Sequence, residues 1–188
     1  MKKILIISIW IIFPWFIWSQ KTDTYDIYSQ IIKKDFSKSY KLIVIEELTP
    51  IGLGVIKDLD YAYFKRNLKN LEKETFNDFR INNEKADTIK KYFSNNLDVI
   101  ILTKTEIDSI IFEKNSSWEG FYKIYGQTQG LLSFSKIGFD IDHKQALFYY
   151  SNQSDWLDGY GYFILFERIN KNWIEKSSFM AWITNMHI

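Results

Sequence analysis

Two histidines and no cysteine limit the side-chain chemistry open to this chain. Without a thiol, a nucleophile has to be Ser, Thr or Lys, served by His143, His187 or a carboxylate. His143 sits in "DIDHK", which reads as a hairpin turn, and His187 is the penultimate residue. No G-x-S-x-G surrounds a serine. A general base must also be held by a third group, and neither histidine has a recognisable motif around it. Asp140, Asp142 and His143 lie close together, but Asp140-x-Asp142 lacks the glycine and distal glutamate of a calcium loop. Asp and Asn side chains also bond local backbone, so these residues read as turn formers. Glu46, Glu47 and Glu119 are available carboxylates, yet glycoside hydrolysis is defined by their separation in space. Gly52-x-Gly54 lacks the later glycine of a dinucleotide fingerprint. No catalytic residue, metal ligand or cofactor is assigned on these patterns.

Aromatic residues make up 18% of the chain and are its strongest compositional signal. Trp118, Phe121, Tyr122 and Tyr125 fall together on one predicted helix. Trp118 and Phe121 read as core, whereas the amphipathic rings of Tyr122 and Tyr125 suit the rim of a binding surface. "SNQSDWLDG", residues 151–159, reads as a polar loop with Trp156 between Asp155 and Asp158. Loops on rigid sheets carry much recognition. The expected binding residues are Tyr122, Tyr125, Asp155, Trp156 and Asp158.

By composition the rest of the chain divides in two. Residues 20–95 are rich in Lys, Asn, Asp and Glu with helical spacing of apolar residues. A helix is expected over 24–36, a strand in "KLIVIEEL" at 41–48, and a helical stretch over 59–92, with Phe64, Leu68 and Leu71 as one buried stripe. Residues 98–188 are richer in aromatic and β-branched types. "DVIILT" is a short apolar run. Thr103 with Glu106, and Ser116 with Glu119, fit capping boxes, and Gly126 suits a helix stop. Strands are expected over 131–139, 145–151, 160–168 and 173–183, joined by short polar turns. The fold class is therefore α+β: N-terminal helices on a C-terminal antiparallel meander of about four strands. An NTF2-like or cystatin-like roll is the nearest analogy.

The N-terminus reads as an export signal. Lys2 and Lys3 precede an apolar run from Ile4 to Trp18, and Ser19 suits the position before a cleavage. The run is short for spanning roughly 30 Å of hydrocarbon. Residues 1–19 are thus expected to be a signal peptide cleaved after Ser19, with an uncleaved N-terminal anchor as the rival reading, and 20–188 a single domain. Of the 24 basic residues two are removed with the signal, leaving 22 against 23 acidic ones, a net charge of −1. Such a balance argues against a nucleic-acid partner. Contact with membrane is expected only through the uncleaved signal segment.

From Trp118 onward the chain resembles a family of uncharacterised secreted proteins of Bacteroidetes-type bacteria. The residues that carry the resemblance are Trp118, Phe121, Tyr125, Gly130, Ser135, Gly138, Phe139, Ala146, Gly159, Gly161 and Trp173. Similar proteins often have C-G-x-L-C-G-x-G where this chain has "SDWLDGYG", so Ser154 and Asp158 stand in place of those cysteines. The resemblance implies an architecture and a compartment, periplasmic or extracellular, and brings no reaction. The functional expectation is a non-catalytic binding or interaction module whose partner is a protein, peptide or small ligand. A carboxylate-dependent cell-envelope hydrolase and an inhibitor or immunity-type protein are the alternatives.

Overall fold

The computed structural model describes residues 22–37, 39, 43–49, 60–94, 96–113 and 117–185. The expected signal peptide, the Pro50-to-Gly54 segment and His187 lie outside these residues. The first helix, α1, is α-helical over residues 22–31 and continues into a π-helical turn, Ile32–Phe36. Ile27, Tyr28, Ile31, Ile32 and Phe36 are buried along it. The extra residue of the π turn lets Ile31, Ile32 and Phe36 stay on the core side where a plain α-helix would rotate one away.

The sheet joins β1 (Ile43–Glu46), β2 (Val99–Leu102), β3 (Leu131–Phe134), β4 (Gly138–Phe139), β5 (Gln145–Asp155), β6 (Asp158–Ile169) and β7 (Asn172–Asn185). Its order is β2-β1-β3-β5-β6-β7, with β4 also paired to β5. The expected antiparallel meander is present in β3 to β7. The sheet is larger and mixed, however, because β1 pairs in parallel with both β2 and β3. "KLIVIEEL" and "DVIILT" thus enter the same sheet as the C-terminal half. Both are continuous apolar runs, as expected of strands covered on two faces.

Helices cover both faces, not one. On the first, α1 packs over Ile43, Ile45, Leu132, Phe134, Phe148, Ile164 and Phe166. On the second, α2 (Tyr61–Asn67) and α3 (Lys73–Asn82) pack over Leu147, Tyr149, Phe163 and Leu165. Further along that face, α4 (Lys104–Ile107, continued by a π turn at Asp108–Phe112) and α5 (Trp118–Tyr125) cover Val44 and Leu131. Along β6, Tyr160, Tyr162, Ile164 and Phe166 face α1, and Phe163 and Leu165 face α2 and α3. No helix among the described residues is long and apolar enough to cross a membrane.

The helical stretch expected over 59–92 is two short helices. Leu68 is extended (φ −113°, ψ 100°) and Asn70 is left-handed (φ 66°), so the chain turns between α2 and α3. Phe64, Leu68 and Leu71 are all buried, but a bent chain delivers them. The helical pattern stops at Asn83, whose amide turns back to Phe79 O at 2.8 Å. The Thr103–Glu106 capping box is formed in full. At α5 the cap is Ser117, which accepts from Gly120 N, one residue later than the expected Ser116; Ser116 lies outside the described residues. Gly126 ends α5 at φ 70°.

Candidate functional site

The stretch 151–159 is not a loop. β5 runs to Asp155 and β6 starts at Asp158, leaving only Trp156 and Leu157 as a two-residue turn. Hydrogen bonds hold several polar side chains here within the strand pair. The Asn152 amide donates to Gln129 O at 2.8 Å and is buried. Gln153 pairs with Gly159 and Asp155 with Asp158, so Ser154 is the extra residue of a β-bulge. Its hydroxyl donates to Asp158 Oδ2 at 2.6 Å, while Asp155 Oδ1 accepts from Trp156 N at 2.6 Å. Both aspartates therefore shape the turn.

Tyr122, Asp155, Trp156 and Asp158 meet at the end of the β5–β6 hairpin, while Tyr125 packs on α5. Tyr122 donates its hydroxyl to Ser154 O at 2.8 Å and braces the hairpin from α5. Tyr125 packs on Phe121, their ring centroids 5.1 Å apart, on the partly buried side of α5. Burial pushes the Tyr125 hydroxyl up in pKa, with the Glu106 charge adding to it. Trp156 is 50% exposed and Leu157 46%. The Trp156 ring meets Phe112, itself 56% exposed, edge-to-face at 5.4 Å between centroids. The hairpin tip and the end of α4 thus share one exposed apolar patch, with Asp155 and Asp158 behind it. Phe112 was not legible as its neighbour, because 44 residues separate it from Trp156.

His143 does have a holding group, supplied from the other end of the chain. Its Nδ1 lies 3.3 Å from Asp23 Oδ2, and Arg168 grips the same carboxylate with Nη1 at 3.1 Å and Nη2 at 2.8 Å. Burial pushes the Asp23 carboxyl up, but the hydrogen bond to His143 and the Arg168 charge outweigh it and leave the group below its ordinary pKa. The His143 ring stacks on Phe139 at 4.6 Å, and Arg168 lies over Trp173. This arrangement clamps α1 to the β4–β5 turn and to β6. Asp140 is a turn former: its Oδ1 accepts from Lys144 N at 2.7 Å and from Gln145 N at 2.5 Å. Among the described residues no group of three His, Cys, Asp or Glu side chains is placed to hold a metal ion.

Glu46, last in β1, accepts from Ser133 Oγ at 2.6 Å. Burial raises its pKa, the Ser133 hydrogen bond and Lys104 lower it, and Asp108 raises it again; the net direction is upward. Two concavities open elsewhere. One of about 420 Å³ lies between α1, the end of α3 and residues 136–139. One of about 330 Å³ lies where α1 meets β6 and β7, beside the Lys34–Glu175 ion pair. Neither includes Tyr122, Tyr125, Trp156 or Glu46.

Compared with known protein families, curated proteins and solved structures, the chain matches none.

Proposed function

We propose that the protein is an exported, non-catalytic interaction module that engages a partner polypeptide with the tip of the β5–β6 hairpin. The observation that carries this is the pair Trp156 and Phe112, both half exposed, held edge-to-face on a braced two-residue turn. Tryptophans in such positions dominate binding energy at interfaces. The bulge at Ser154, its bond to Asp158 and the Tyr122 brace preorganise the tip, which cuts the ordering cost of binding. Acidic neighbours favour a partner with an apolar pocket and a basic rim, the form an inhibitor or immunity-type protein would use.

The resemblance to secreted Bacteroidetes-type proteins belongs to this reading. The positions where those proteins carry cysteines, 154 and 158, are in contact here through a hydrogen bond. Under the same reading, the long β5–β7 meander lying against α1 is the part that corresponds to an NTF2-like or cystatin-like roll. Export predicts a mature N-terminus at Gln20, which N-terminal sequencing reads directly.

A photo-crosslinking residue at 156 tests the interaction. It should give one discrete adduct in the cell envelope, lost with Phe112→Ser. The control position is Ile141, which is 73% exposed. No adduct at 156, or the same adduct from both positions, would overturn the proposal. The hydrolase alternative has one observation in its favour, the desolvated carboxyl of Glu46 beside Asp108. It requires Glu46→Gln to abolish cleavage of cell-envelope glycan while Trp156→Ala leaves cleavage intact.

A further inference from the structure

We infer a second site: the concavity of about 420 Å³ between α1, the end of α3 and the β3–β4 break binds a small organic monocarboxylate with an apolar or planar body. Its size falls within the roughly 300–1,000 Å³ of small-molecule pockets. It does not touch the hairpin tip and stands or falls separately.

Buried side chains build its wall. Asn83, 2% exposed, accepts from Lys136 N through Oδ1 and donates to Lys136 O through Nδ2, both at 2.9 Å. One amide thus holds both backbone groups of Lys136 where the strand ladder is interrupted. Asn82 donates to Ile137 O at 3.1 Å, and Asp78 Oδ2 accepts from Phe139 N at 2.8 Å. The segment 136–139 is therefore fixed to α3, and it places Lys136 at the cavity. Lys136 is half-buried, and no carboxylate among the described residues comes within ion-pair distance of its ammonium. An ammonium without a counter-charge at a cavity wall can pair with a ligand carboxylate through a charge-assisted hydrogen bond.

Tyr25 and Thr49 of the same lining carry neutral hydroxyls. The Tyr25 hydroxyl accepts from Lys90 N at 2.6 Å and keeps its own proton to donate. The Thr49 hydroxyl accepts from Asp87 N at 2.8 Å and does likewise. Tyr28, Ile89 and Phe139 give an apolar wall; the Tyr28 hydroxyl is already committed to Ser135 O at 2.7 Å. Asp87 at the lining opposes a second negative charge, which disfavours a phosphate dianion against a monocarboxylate. A neutral sugar would leave Lys136 unpaired. The chemistry selects one carboxylate on an apolar body.

Calorimetric titration of the purified protein with phenylacetate, hexanoate, 2-phenylethanol and phenyl phosphate tests this. At least one of the two carboxylates should bind, at least about tenfold more tightly than the alcohol and the phosphate, since a charge-assisted hydrogen bond is lost or mismatched in those. Lys136→Met, with circular dichroism showing an unchanged fold, should weaken the carboxylate by about tenfold or more. Asp87→Asn should tighten it about two- to fivefold, and it decides the matter alone if Lys136→Met does not fold. No carboxylate binding at millimolar concentration, equal binding of acid and alcohol, or no gain from Asp87→Asn would overturn the inference.

Discussion

Two carboxyls show how burial and partners set opposite pH responses in one protein. Asp23 is held below its ordinary pKa by His143 and Arg168 despite burial. Its stabilisation is complete above the unfolded value of 3.8 and is lost as pH falls through the lower folded value. Asp23→Asn should cost about 2–3 kcal/mol at pH 7, less than for a fully buried pair because Arg168 stays 30% exposed. Denaturant titrations across pH should show this difference shrinking below about pH 4; a constant difference down to pH 2 would contradict it. Glu46 has the opposite sign. Its folded pKa is raised, so stability is full below the unfolded value of 4.5 and declines as pH rises through the folded one. Glu46→Gln should remove that decline and leave the chain relatively more stable at pH 7 than at pH 4. Neither environment was legible locally. Asp23 meets residues 120 and 145 positions away, and Glu46 meets Ser133 across a parallel pair that its own strand cannot announce.

At the scale of elements, the β5–β7 meander turns on two glycines. A side chain at Gly161 would place Cβ 2.5 Å from Trp182 Nε1 and 2.7 Å from the Tyr149 hydroxyl. A Cβ at Gly159 would lie 3.1 Å from the same indole ring. Trp182 thus lies over both glycines, and its Nε1 donates to Tyr149 at 2.8 Å. The ring that approaches comes from the next strand. Gly161→Ala should cost about 1–3 kcal/mol through overpacking. Combining it with Trp182→Leu should recover part of that loss, and strict additivity of the two changes would contradict the contact. The edge strand β7 carries bulges at Lys176 and Ala181, which kink the edge and disfavour pairing with another chain. Strand ends were the least legible feature. Polarity alone places the ends of β5 and β6 at 151 and 160, whereas hydrogen bonding through Asn152 and the Ser154 bulge carries the ladder to 155 and 158.

For the whole molecule, the sheet is thickest in its middle. β5 and β6 are long interior strands with helices on both faces, while β2 is a four-residue edge. Hydrogen exchange should therefore be slowest for the paired amides of 145–153 and 159–167 and faster in β2. Equal protection in β2 and β6 would mean that the sheet opens as one unit. The α+β class, the first helix, the Thr103 cap and the antiparallel meander follow from local propensity and from periodicities of two and 3.6 residues. Long-range packing settles that β1 and β2 join the sheet in parallel, that helices cover both faces, that Asp23 holds His143, and that Phe112 lies against Trp156. Each of these pairs residues distant in the chain, and their meeting is settled by which faces must be buried together rather than by any pattern within either segment.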